Sequence, residues 1–355
     1  MLPNRYQPIT ATAIEGGFGS VQEVCDTYLG RTVLFKAMRN SKDNDQLKNE
    51  IRALSRARSR HVVEIYDVIF DQAGNVVGII IELLKGRDYN EFYLEAGHNP
   101  LEYIKILYQM GSAISDLHDA GIIHRDIKLD NVKSSSSNIV KFFDFGISVA
   151  DDNYYTRHNR GTFIYAAPEL YKIGAKISKE MDMYALGICA WALASNNLPP
   201  PLFQRPPQHE CLAPSIASVM QDLLPQDVVD VIDRCLHPDP QQRPSAKAFT
   251  HLFAKHLLRD RHKGIFVQGR ETIIELSKER PRVQIKIGEL GLLKVAYDGF
   301  DFHVVETAGA VTINNVPAAA GSTLHGSCVL TFGSPQLGSG RQWVTFSSSH
   351  PEVVL

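Results

Sequence analysis

Lys36, Glu50, Asp126, Lys128, Asn131 and Asp144 are the side chains whose types and spacing could do chemistry. Three of them fall in the run Ile123-His124-Arg125-Asp126-Ile127-Lys128-Leu129-Asp130-Asn131, and Asp144-Phe145-Gly146 follows shortly after. An aspartate, a lysine and an asparagine set among isoleucines and preceded by His124 do not read as an ordinary polar surface loop. Phosphoryl transfer needs such a set, because nucleotide phosphates must be held by backbone donors and cations while a hydroxyl is aligned with them. Upstream, Gly16-Gly17-Phe18-Gly19 within Ile14-Glu15-Gly16-Gly17-Phe18-Gly19-Ser20-Val21 is either a simple turn or a loop whose missing side chains let backbone N–H groups approach phosphate oxygens, and its distance to Lys36 raises the second reading. Lys36 closes the apolar run Val33-Leu34-Phe35 and is either a solvated edge charge or a phosphate ligand. An inward-facing Glu50 favours the ligand, since each charge explains why the other is tolerated.

The elements that must carry these groups follow from periodicity. From Tyr6 to about Asp71 apolar residues alternate between glycine-containing turns, which predicts a hairpin-rich antiparallel sheet. A helix interrupts it over Asp45 to Arg58, with Leu47, Ile51 and Leu54 at helical spacing and Glu50 on the same face. Beyond Ile81-Glu82-Leu83-Leu84 the pattern becomes helical, and Ile104, Leu107, Ile114 and Leu117 form a stripe that ends near Gly121. From Arg282 short alternations return, over Val283–Ile287, Leu293–Tyr297, Phe300–Val305, Ala310–Ile313, Val329–Phe332 and Trp343–Phe346. Asp298-Gly299 is a hairpin signal, and these strands predict a separate all-β domain.

Composition narrows the partners. A chain of 355 residues is long for one core and suggests two or three units. Its 37 Lys+Arg against 39 Asp+Glu provide no basic field, so neither nucleic acid nor a membrane surface is implied. The five cysteines lie far apart with no Cys-x-x-Cys pair, against a zinc site or disulfide framework. All five read as small buried apolar groups in a reducing compartment. With no apolar signal core and no unbroken membrane-length stretch, the expectation is a soluble cytoplasmic protein.

Together with Ala167-Pro168-Glu169, the segments around Asp126 and Asp144 resemble the eukaryotic-type (Hanks-type) serine/threonine protein kinase family. Leu29-x-Arg31-x-Val33 and Asn131-Val132-Lys133 look like its bacterial members. The resemblance implies an α+β chain: a bilobal protein kinase fold over residues 1–258, with a small lobe 1–84 and a large lobe 85–258. A charged linker 259–281 and a small all-β sandwich, 282–355, would follow. It implies ATP and Mg2+ as cofactors, with ATP held by Ile14, Gly16, Gly17, Phe18, Gly19, Val21, Leu34, Lys36, Glu50, Glu82, Leu84, Lys133 and Asp144. Asp126 would accept the proton of the substrate hydroxyl, Lys128 would stabilise the transferred group, and Asn131 and Asp144 would hold the metal. Thr162 would hydrogen-bond Asp126 and Lys128, and Lys128 with Thr162 is the serine/threonine pattern. Glu169 would pair with Arg243, and Asp182 would tie down the catalytic loop. Ile14 stands where the family has a glycine, and Leu34 where it has an alanine.

Arg125 beside Asp126 would receive an activation-segment phosphate, for which Thr156 is the first candidate, with Tyr154 and Tyr155 beside it. The implied function is ATP-dependent phosphorylation of serine or threonine in protein substrates, with autophosphorylation. The alternative is a pseudokinase scaffold: Ile14, Leu34 and Lys133 favour it, whereas Lys36, Asp126, Asn131 and Asp144 oppose it. In the tail, Val311 to Pro317 and Leu324 to Gly333 resemble the last strands of a forkhead-associated (FHA) domain, but Glu289 replaces the expected arginine and the Ser-x-x-His run is missing. The tail is therefore expected to dock a protein partner or regulate the kinase, without ordinary phosphothreonine binding.

Overall fold

The computed structural model describes residues 2–9, 13–15, 19–38, 44–146, 148–150, 163–269 and 272–355, with backbone only for residues 14, 15, 19, 38, 44, 46, 149 and 150. Gly16, Gly17, Phe18, Tyr154, Tyr155, Thr156 and Thr162, and the side chain of Ile14, lie outside this description. The chain forms two compact units, Met1–Phe253 and Ala254–Val354.

The first unit opens with β1 (Tyr6–Pro8), β2 (Ile14–Glu15), β3 (Gly19–Asp26), β4 (Arg31–Met38), helix α1 (Asn44–Arg56), β5 (Ile65–Phe70) and β6 (Val76–Ile81). The strands form an antiparallel sheet in the order β1-β3-β4-β6-β5, with β2 on β3. Side chains alternate between its faces. Tyr6, Val24, Val33, Ile69 and Ile80 make one core. Residues alternate with these along β4 and β6, so Leu34 and Lys36 share the opposite face with Ile79 and Ile81. Helix α1 packs against β4, β5 and β6 and buries Leu47, Leu54 and Glu50.

The helical lobe begins with α2 (Tyr93–Ala96) and α3 (Pro100–Asp119). Asn99 caps α3 by accepting from the Glu102 N–H, Pro100 fills the first turn, and Gly121 follows at φ +69°. Next come β7 (Ile122–Ile123), β8 (Val132–Ser134), β9 (Val140–Phe142) and β10 (Val149–Ala150), with β7 on β10 and β8 on β9. Helix α4 (Lys179–Ala194) is buried on nearly all sides, as its uninterrupted apolar run requires. Then follow α5 (Ala217–Met220), α6 (Gln226–Cys235) and α7 (Ala246–Leu257). Among the described residues no helix is long and apolar enough to cross a membrane.

The second unit is a two-sheet sandwich. Its strands are β11 (Gly264–Gln268), β12 (Thr272–Leu276), β13 (Arg282–Ile287), β14 (Gly291–Tyr297), β15 (Phe302–Gly309), β16 (Val311–Ile313), β17 (Val316–Pro317), β18 (Thr323–Leu324), β19 (Ser327–Phe332) and β20 (Gln342–Ser348). One sheet runs β12-β11-β20-β19-β16-β17 and the other β13-β14-β15-β18. Phe266, Leu330, Phe332 and Phe346 from the first share a core with Ile285, Leu293, Val295 and Phe302 from the second. Asp298 turns β14 into β15, its carboxylate accepting from the N–H groups of Phe300 and Asp301 at 2.8 Å, with Gly299 at φ +99°.

Two expectations need correction. Residues 259–281 are not a linker: β11 and β12 lie within them and pair with each other, β11 also pairs with β20, and Phe266 and Leu276 are buried in the core. Charged residues at the ends of the segment mask the apolar alternation at its centre. Cys211 is exposed and Cys25 half-buried, although Cys189, Cys235 and Cys328 are buried; Cys211 sits in an irregular, proline-rich stretch outside the helices and strands.

Candidate active site

Glu50 faces inward from α1 because its helical spacing places it with Leu47 and Leu54, and Lys36 meets it from β4. The Lys36 ammonium lies 2.8 Å from the Glu50 carboxylate and 3.0 Å from Asp144 Oδ1. Burial alone would lower the pKa of Lys36, but Glu50 and Asp144 outweigh it and raise the value. Burial likewise works to raise Asp144, yet the Lys36 ammonium, by charge and hydrogen bond, holds it below the ordinary aspartate value. Glu50 is more deeply enclosed, and burial pushes it up against the pull of Lys36. The site therefore presents a charged lysine shared by two carboxylates, of which Asp144 remains the more acidic.

The loop after β7 brings the second group together. Lys128 Nζ donates to Asp126 Oδ2 at 2.8 Å, and Asn131 Nδ2 donates to the same oxygen at 3.0 Å and to the Asp126 carbonyl at 2.8 Å. With its amide nitrogen committed to Asp126, Asn131 has its amide oxygen to offer a cation. That oxygen and the half-exposed Asp144 carboxylate suit a hard cation that takes its remaining ligands from phosphate and water, which is how magnesium is commonly held. Arg125 at φ +69° and Asp144 at φ +66° occupy the left-handed region, uncommon for non-glycine residues and typical of functional turns.

Asp182, at the start of α4, sets the loop's shape. It accepts from the backbone N–H groups of His124 and Arg125, both at 2.9 Å, and its Oδ2 lies 3.0 Å from His118 Nε2. His124 is buried between Phe142 and Phe145, and burial lowers its pKa, so it packs as a neutral ring. Burial alone would raise Asp182; the His118 hydrogen bond, with charge and the Arg125 N–H, overrides it and leaves the pKa below the ordinary value. A depressed carboxylate stabilises the fold above its unfolded pKa, and that contribution is lost as pH falls through the folded value. Asp182→Asn should thus cost about 1–3 kcal/mol at neutral pH. The gap from wild type should shrink below about pH 4, the ordinary aspartate range. Urea unfolding from pH 7 to pH 3 checks this; a gap that stays constant would exclude it.

The remaining predicted residues divide into three groups. Val21 pairs with Lys36 across β3 and β4, Leu34 pairs with Ile81, and both are partly buried, while Leu84 is buried. Among the described residues the backbones of Leu83 and Leu84 make no hydrogen bond, so their donors and acceptors stay open to a ligand's polar edge. Lys133 sits on β8 opposite Lys141. The Glu82 carboxylate is not open, because Lys141 Nζ holds it at 2.6 Å. Glu82 could therefore serve a nucleotide through its backbone and not through its side chain.

Glu169 and Arg243 form a bidentate pair at 2.7 and 2.8 Å. His118 and Lys141 were missed from sequence. A lysine inside the apolar run Ile139-Val140-Lys141-Phe142-Phe143 carries the same signal as Lys36, a charge that needs a buried partner.

The comparisons with known proteins agree with this geometry. A probable serine/threonine-protein kinase of Clostridium acetobutylicum is 31% identical over 210 residues, 56% of this chain and 31% of that protein. The serine/threonine-protein kinase PknA of Mycobacterium tuberculosis is 30% identical over 207 residues, 55% of this chain and 47% of its own length. NUAK family SNF1-like kinase 1 of Homo sapiens is 28% identical over 204 residues, 56% of this chain and 31% of that protein. The chain thus spans 31% to 47% of the length of these relatives. The protein kinase domain model matches residues 14–254, which include the Lys36–Glu50–Asp144 cluster and the Asp126 loop, and the chain belongs to that family.

Proposed function

We propose that this chain is a serine/threonine protein kinase that transfers the γ-phosphoryl group of ATP to hydroxyls of protein substrates. The observation that carries this reading is the Lys36 ammonium held between Glu50 and Asp144, with Asp126 fixed by Lys128 and Asn131. Lys36 binds and neutralises phosphate oxygens, and Asn131 and Asp144 offer oxygens to magnesium, which when bound neutralises charge on the phosphates. The backbone of Glu82 to Leu84 takes the edge of the base. Asp126, oriented by its two neighbours, accepts the proton of the attacking hydroxyl, while Lys128 remains close enough to meet charge on the transferred group. These intact parts favour catalysis over a scaffold.

The test is transfer of radiolabelled γ-phosphate from ATP to dephosphorylated casein by the full chain. The expected result is labelled serine or threonine with wild type and a loss of about 10²–10⁴-fold with Asp126→Asn. Equal labelling by both proteins would overturn the reading. The same reaction, read by mass spectrometry, tests autophosphorylation at Thr156, Tyr154 or Tyr155; all three unmodified in active protein would remove that part.

The sandwich unit serves as a docking or regulatory domain with a degenerate forkhead-associated-like fold. Its two-sheet architecture supports the fold, and Glu289 in place of the expected arginine argues against ordinary phosphothreonine recognition. Titration of the full chain with phosphothreonine peptides checks this, and tight phosphate-dependent binding would contradict it. Free cysteines throughout support a reducing, cytoplasmic setting; recovery of the protein in an oxidised, secreted fraction would contradict that.

A further inference from the structure

Lys141 and Glu82 form an ion pair that the chemistry proposed above leaves unused. Lys141 Nζ and Glu82 Oε2 are 2.6 Å apart, with the two side chains only 8% and 17% exposed. A pair this enclosed sacrifices hydration on both partners and is weak evidence for stability, since apolar replacements of similar volume are often as stable. Its placement carries the argument.

Lys141 lies at the centre of β9, opposite Lys133 of β8. This ribbon carries both candidate metal ligands: Asn131 immediately precedes β8, Asp144 follows β9, and the Phe143 N–H donates to the Asn131 carbonyl at 3.1 Å. One edge of the ribbon is fastened to the small lobe, where Val63 N–H donates to the Phe142 carbonyl and Phe142 N–H to the His61 carbonyl, both at 2.9 Å. The Lys141 head group makes a second attachment. Glu82 stands where the chain leaves β6; its N–H donates to the Glu64 carbonyl at 2.9 Å, and its Oε2 accepts from the Glu64 N–H at 3.3 Å. Directly beyond it come Leu83 and Leu84, whose backbones make no hydrogen bond among the described residues. The ion pair therefore spans from the segment proposed to hold the base to the ribbon proposed to hold the metal.

We propose that Lys141 is a positioning residue for the nucleotide: acting through Glu82, it fixes the separation between the Glu82–Leu84 segment and the Asn131 and Asp144 oxygens. The proposal rests on reading the site as one for ATP. If the separation is wrong, base and phosphates cannot both be satisfied, and the loss falls on binding of the ground state and of the transition state alike, which raises KM and leaves kcat.

The full chain is assayed with magnesium and varied ATP against fixed dephosphorylated casein, and ATP binding is measured separately by calorimetry. Lys141→Met is expected to raise both KM and Kd for ATP about tenfold while kcat stays within about threefold, the signature of lost uniform binding. Lys141→Arg, which keeps the charge, should recover most of the affinity. Because Lys141→Met leaves a buried carboxylate unpaired and could unfold, the double variant Lys141→Met/Glu82→Met is measured beside it. It should regain wild-type thermal stability and still bind ATP weakly. Affinity within about twofold of wild type in a folded Lys141→Met, or affinity restored in the double variant, would overturn the inference, because uniform binding would be intact. A wild-type protein that neither binds nor turns over ATP would instead overturn the kinase reading and the inference with it.

Discussion

Asp144→Ala is expected to yield a folded protein whose phosphoryl transfer falls about a thousandfold or more, roughly 4 kcal/mol in the barrier. Asp144 is half-exposed, so its loss opens little core, yet it offers the carboxylate best suited to a magnesium ion and supplies one of the two partners of Lys36. Removing it takes away charge neutralisation where the phosphates must lie, and electrostatic positioning dominates this chemistry. Lys36→Met should produce a loss of the same order for the complementary reason, and it also leaves the buried Glu50 without its cation. Single-turnover labelling of casein, with circular dichroism to check the fold, decides the matter. Near-wild-type turnover by either purified variant would refute the assignment.

Arg243→Ala should produce the largest change in stability, about 3–5 kcal/mol, because it strands a carboxylate inside the fold. The Arg243 side chain is fully buried and binds both oxygens of Glu169. It also donates to the carbonyls of Glu180 at 3.0 Å, His237 at 2.8 Å and Pro238 at 3.3 Å. Alanine would strand the Glu169 carboxylate and remove a donor from each of these carbonyls, and a buried group left unsatisfied costs about 1–3 kcal/mol if no water reaches it. Against a typical total of 5–15 kcal/mol this is a large share. Urea unfolding should show a strongly lowered midpoint with the slope little changed. Glu169→Gln, which still accepts from the guanidinium, should cost less. Equal midpoints for wild type and Arg243→Ala would show that the pair contributes little.

Much of this was legible in the sequence because a charge inside an apolar pattern announces a partner. Lys36 in a strand and Glu50 on the apolar face of a helix implied each other, and the structure brings them within 2.8 Å. The same logic applied to Lys141 but found no obvious counterpart, since Glu82 is 59 residues away at a strand end where a carboxylate looks solvated. His118 was hidden for a different reason: it completes the apolar face of α3, and only the fold reveals that Asp182 is buried beside it. Strands β13 to β16 could be read from alternation, whereas β11 and β12 were lost among flanking lysines, arginines and glutamates, whose charges dominate any average over the segment. Local pattern reports which face a residue occupies, and it is silent on which distant chain covers that face.

Strand order in the sandwich has a consequence for synthesis. β20 lies between β11 and β19 and pairs with both along most of its length, so Phe346 meets Phe266 from the far end of the same unit. A ribosome making this unit releases β11 first and can supply its central neighbour only after residues 342–348 have been translated. Until then β11 and β19 each present an unpaired edge, and the two halves of one sheet have nothing to join them. Long-range pairing of this kind closes late and slowly. Chains halted before Gln342 would therefore leave those edges open as templates for pairing with other nascent copies.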